Sequence, residues 1–141
     1  MPHSPVSITV TSSINAPISR VWESWTQPHH VKNWNHATED WYCPEAENDL
    51  RIGGKFTYTM AAKDGSFSFD FWGVYTDIAE HQRIVIKLGD DRNMEVHFLS
   101  EGDARTKVTE IFDAETENPV DMQQMGWQMI LDNFKNYTEK L

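Results

Sequence analysis

The chain has 141 residues, a length that suits a single domain spanning 1–141 with enough material for a hydrophobic core. Hydrophobic residues make up 39% and charged residues 24%, which excludes a disordered chain, and no apolar run reaches the ~18 residues a membrane span requires. The net charge of -10 repels phosphate backbones and anionic lipid surfaces, so neither nucleic acid nor membrane is expected as a partner.

A lone cysteine, Cys43, leaves no internal disulfide and points to a reducing, cytoplasmic setting. The first residues, Met1 to Pro5, lack the basic and apolar segments of a signal peptide. Val6, Ile8 and Val10 then alternate with Ser7, Thr9 and Thr11, which predicts a strand from Val6 to Ile14. Asn15-Ala16-Pro17 breaks it, and proline suits the first turn of a helix. Ile18, Val21, Trp22 and Trp25 form one apolar helical face. Pro28 ends that helix and starts a second, shorter one carrying Val31 and Trp34.

Asn35 to Asn48 is polar and irregular, and is expected to be a long loop whose Trp41, Tyr42 and Cys43 tuck inward. Strand patterning follows. Leu50 to Ile52 is short, and Gly53-Gly54 marks a bend. Lys55 to Ala62 puts Phe56, Tyr58 and Met60 on one face. Asp64-Gly65 is a tight-turn signal. Ser66 to Ile78 then carries Phe67, Phe69, Phe71 and Tyr75 on one face. Arg83 to Leu88 comes next, followed by a strand with Met94, Val96 and Phe98 facing inward, and by Arg105 to Phe112, where Thr106, Val108, Glu110 and Phe112 are in phase. The last segment, 119–140, is a long helix with Asn118 as expected N-cap and an apolar stripe through Met122, Met125, Gly126, Met129, Ile130, Phe134, Tyr137 and Leu141, widened by Trp127 and Leu131.

The order is strand, two helices, about six antiparallel strands, and one long helix. Short turns between consecutive strands make the sheet a meander, and its aromatic face must be buried against the long helix. The predicted fold is therefore α+β: a curved antiparallel sheet wrapped around a C-terminal helix, with two short helices after the first strand.

Several short pieces in this order resemble the Activator of Hsp90 ATPase homologue-like family. They are Ala16-Pro17 with Val21-Trp22, Trp34, Arg51-Ile52-Gly53-Gly54-Lys55-Phe56, Gly73-Val74-Tyr75-Thr76-Asp77-Ile78, Thr106-Lys107-Val108-Thr109, and Gly126-Trp127 followed by Leu131-Asp132-Asn133-Phe134. Asp77 departs from the family's usual glutamate. The resemblance spans Val6 to Lys140 and implies the helix-grip (START-related, Bet v-like, SRPBCC) fold shared with polyketide cyclases and plant pollen allergens. It implies no shared catalytic residues. Docking on an Hsp90-type chaperone belongs, in the eukaryotic co-chaperone, to a separate N-terminal domain, and this chain carries one module.

The aromatic face reads either as core or as the wall of a cavity for a small hydrophobic ligand. The ligand-binding candidates are Trp34, His36, Trp41, Phe56, Tyr58, Phe69, Phe71, Tyr75, Val96, Glu110, Met125 and Met129. Methionines on the facing helix would give a deformable wall. Glu110 and His36 are the acid/base candidates, because alternation turns the Glu110 carboxylate inward and burial would raise its pKa. His36, Asp40 and Cys43 are spaced like metal ligands but form an incomplete set, so no metal and no cofactor are expected. The sequence thus points first to binding without chemistry. Cyclase-like acid/base catalysis and a chaperone-regulating or protein-interaction module stand as alternatives, and a homodimer is left open.

Overall fold

The structure, a computed structural model, describes residues 6–141, so the signal-peptide reading of residues 1–5 lies outside the described residues. β1 (Ser7–Ile14) leads into α1 (Ile18–Thr26) and α2 (Pro28–Trp34). Six strands follow: β2 (Trp41–Asn48), β3 (Lys55–Ala62), β4 (Ser68–Ala79), β5 (Arg83–Leu88), β6 (Asn93–Ser100) and β7 (Thr106–Asp113). α3 (Val120–Glu139) ends the fold. The seven strands form one curled antiparallel sheet in the order β1-β7-β6-β5-β4-β3-β2. β2 to β7 are a plain meander, and β1 closes it by pairing with β7 at the far edge.

The register lines the concave face with apolar rows. One row runs Val10, Glu110, Val96, Ile84 across β1, β7, β6 and β5. The next runs Ile8, Phe112, Met94, Ile86, Tyr75. α3 lies over this face with Leu131 and Phe134 fully buried. Trp25 of α1 stacks on Trp34 of α2 at 5.0 Å, and Phe134 meets both rings edge-on.

Both flanks of α3 are tied. On the β1 side, Gln124 and Gln128 donate to the Thr9 and Thr11 carbonyls at 3.2 Å, and the Lys135 ammonium donates to Ser13 O at 2.6 Å. On the α2 side, Asn133 donates to the His36 carbonyl and the Tyr137 hydroxyl meets His30 Nδ1. The second set of ties lies entirely in the C-terminal half of the helix.

Four expectations are corrected. The loop predicted over Asn35 to Asn48 is a strand from Trp41 onward, pairing with β3. Its alternation is broken by a bulge between Tyr42 and Glu45, and Pro44 is tolerated there because an edge strand can spare an N–H. Leu50 to Ile52 is a turn, not a strand: Gly54 N donates to Arg51 O and Gly53 adopts a φ of 85°, open to glycine at little cost. Asn118 does not cap α3; Pro119 occupies that position, and Asn118 bonds to the Glu115 carboxylate instead. The inward stripe of α3 is Gln123, Trp127, Ile130, Leu131, Phe134 and Thr138, so Met122 and Met125 face outward. Polar Gln123 and Thr138 occupy inner positions, which hides the true phase from a count of apolar residues.

Candidate binding cavity

Between α3 and the concave face of the sheet lies a cavity of about 360 Å³. It exists because α3 leans on β1 and α2 and leaves β3 and β4 uncovered opposite its N-terminal half. Phe56, Tyr58 and Met60 from β3 and Phe69, Phe71 and Tyr75 from β4 form one wall. Ile84, Ile86, Met94 and Glu110 form the floor. Trp127 and Ile130 form the roof, and Trp25, Trp34 and Asn35 close the end nearest the short helices. Trp127 is held by Phe112, stacked at 3.7 Å, and presents its edge to Phe71 at 5.8 Å. Phe56 packs on Tyr58, Phe71 and Tyr75 within 5.7 Å of each.

Few polar groups reach this space. Glu110 is only 4% exposed. Val10 and Val96 flank it across the strands, and Val108 and Phe112 share its face along β7, all four buried. Burial alone pushes its carboxyl up to about 8; no neighbouring charge or hydrogen bond among the described residues offsets it. Tyr58 and Tyr75 bring phenols to the wall, and burial raises both. The Tyr75 hydroxyl donates to Asn48 Oδ1, and the Asn48 amide donates to the Thr26 carbonyl at 2.7 Å. This chain ties the wall to the end of α1.

The rim is built by Gln123. Its side-chain oxygen accepts from Glu115 N at 2.9 Å, and its nitrogen donates to the carbonyls of Glu115 and Asn118 at 3.1 and 2.8 Å. That fixes the segment between β7 and α3 at the mouth. Arg92 also reaches the rim, where Asp90 engages its guanidinium at 2.7 Å and the Asp113 carbonyl accepts at 3.2 Å.

Seven predicted residues line the cavity: Trp34, Phe56, Tyr58, Phe69, Phe71, Tyr75 and Glu110. Five do not. Val96 lies fully buried in the core beneath the floor. Trp41 stands on the edge strand outside the cavity, edge-on to Phe67 and Phe69, and Phe67, just before β4, is itself exposed. Met125 is 65% exposed and Met129 is half-buried on the outer side of α3, a consequence of the helical phase described above. His36 follows α2, and its ring is not on the cavity surface; burial lowers its pKa, and Nδ1 is buried without a partner among the described residues.

The sequence reading missed Trp25, Asn35, Met60, Gln123 and Ile130 among others. Trp25 carried a signal in the apolar face of α1; Gln123 carried none. Among the described residues, no group of three or more His, Cys, Asp or Glu side chains is placed to hold a metal. The Cys43 thiol donates to the Glu45 carbonyl, and burial raises its pKa. No helix among the described residues is long and apolar enough to cross a membrane.

The family model described as Activator of Hsp90 ATPase homolog 1-like protein matches residues 15–139. The solution structure of an AHSA1-like protein from Aeromonas hydrophila is 42% identical, with a TM-score of 0.89, and the match covers 96% of this chain and 93% of that one. A protein from Cytophaga hutchinsonii is 47% identical with a TM-score of 0.82, covering 95% of this chain and 92% of that one. A protein from Chromobacterium violaceum, 20% identical with a TM-score of 0.83, covers 96% and 99% and shows the fold alone. No curated protein matches the chain.

Proposed function

The chain belongs to the Activator of Hsp90 ATPase homolog 1-like family, within the helix-grip superfamily, and from that premise we propose that it binds one small hydrophobic or aromatic molecule between sheet and α3, in a cytoplasmic setting and without chemistry. The observation that carries this reading is the cavity itself: about 360 Å³ walled by aromatic side chains that a tightly packed core would have closed. The other carboxyl on the cavity surface, Glu115, belongs to the segment at the mouth, and among the described residues no Ser, Thr, Cys, His or Lys side chain lines the cavity. The cyclase-like alternative rests on Glu110 alone, whose carboxyl near 8 suits proton transfer at neutral pH.

Prodan, a neutral naphthalene dye whose emission reports polarity, tests the proposal. It should bind at one site per chain with blue-shifted emission. Ile130→Trp, which fills the roof, should abolish binding. Met125→Trp, on the exposed face of the same helix, should leave it intact. Equal dye binding by all three proteins sinks the reading.

A further inference from the structure

The cavity is mostly aromatic and aliphatic, and of the polar groups on its surface the Glu110 carboxyl is the one buried on the sheet face with no partner among the described residues, which points to a ligand class. Glu110 reaches the cavity floor from among its buried strand neighbours Val10, Val96, Val108 and Phe112, and no cation among the described residues answers it. A buried carboxylate is stable only when a cation or several hydrogen-bond donors compensate it. Among the described residues the cationic side chain on the cavity surface is Arg92, at the rim, and Asp90 already engages it at 2.7 Å. The surrounding walls are aromatic faces, which attract cations through their ring quadrupoles. The chain's net charge of -10 adds a field that draws cations and repels anions.

We propose that the ligand is an apolar, ring-sized molecule bearing a basic nitrogen, seated with its ammonium on the Glu110 carboxylate and its hydrocarbon body against the Phe56, Phe71 and Trp127 rings. This inference rests on the binding reading given above. It also predicts a proton balance. At pH 7 the free amine is an ammonium, and the Glu110 carboxyl, pushed up by burial to about 8, is mostly protonated. Forming the ion pair therefore releases the Glu110 proton to solvent. The other titratable or charged groups on the cavity surface are Tyr58 from β3, Tyr75 from β4, Arg92 from the turn before β6 and Glu115 from the segment before α3. Burial raises both tyrosines, so neither phenol ionises near neutral pH. The roof and the helical end of the cavity add no titratable side chain.

Three probes of one shape test this: 2-naphthylmethylamine, 2-naphthylmethanol and 2-naphthoate, titrated calorimetrically at pH 7 in two buffers of different ionisation enthalpy. The amine should bind at least about tenfold more tightly than the alcohol, with naphthoate weakest. Close to one proton should leave per amine bound and none per alcohol. In Glu110→Gln the amine-to-alcohol ratio should fall to near one. If the Gln variant fails to fold, the wild-type ratio and proton count decide alone. Equal binding of amine and alcohol, or a preference that survives in the Gln variant, overturns the amine inference and leaves the cavity reading standing. Binding by none of the three overturns both.

Discussion

Between pH 4.5 and 8 the fold should lose stability through one carboxyl. Glu110 titrates at about 8 when folded and near 4.5 when free of its burial. In that interval the folded state holds a proton that the unfolded state has released, so raising the pH favours unfolding, and the loss is complete above 8. Glu110→Gln cannot ionise. It should match wild type below pH 4.5 and exceed it by roughly 3 kcal/mol at pH 7, taking the interval from 4.5 to 7 at 1.36 kcal/mol per unit. Urea midpoints of both proteins at pH 4.5 and pH 7 measure this. Coincident midpoints at both values would mean that the carboxyl is hydrated in the folded state. The inward direction of Glu110 was legible because strand alternation has a period of two and Val108 and Phe112 fix its phase. His36 was not legible. It follows a helix by two residues, and its backbone is placed by bonds from its N–H to the Trp34 carbonyl and from Asn133 to its own carbonyl, which no periodicity announces.

At the scale of single elements, α3 shows where periodicity misleads. Its methionines suggested an apolar stripe, yet Gln123 and Thr138 take inner positions, and Gln123 earns its burial by tying down the segment that precedes the helix. Gly126 sits mid-helix, where glycine is unfavourable, and a Cβ at that position meets nothing within 4 Å. Gly126→Ala should therefore keep its space and gain helix propensity, stabilising the fold by about 0.5–1 kcal/mol. A chemical denaturation curve checks it. A destabilised Ala variant would show that the helix needs glycine there to bend or to move. β2 was hidden for a different reason. An edge strand carries charge, tolerates proline and accepts a bulge, and all three features imitate a loop in sequence.

For the whole molecule, the meander of β3 to β7 followed from short turns between alternating segments, while the pairing of β1 with β7 is written in no local pattern. That pairing nevertheless decides where the cavity opens. α3 is held along β1 by Gln124, Gln128 and Lys135, and along α2 by Asn133 and Tyr137. On the side facing β3 and β4 its N-terminal half is held, among the described residues, by the Gln123 rim and the Trp127 ring. Local opening is easiest where buried apolar contacts are few. Amide hydrogen exchange should therefore be slowest in β1, β6, β7 and the second half of α3, and faster in β2 and in residues 120–126. Saturating prodan fills the space beneath those faster segments and binds only the closed arrangement. By mass action it should slow their exchange, by about 2.7 kcal/mol of added protection at a hundredfold excess over Kd where opening abolishes binding. Protection confined to the already slow strands would place the dye elsewhere and would contradict an opening between α3 and the β3–β4 wall.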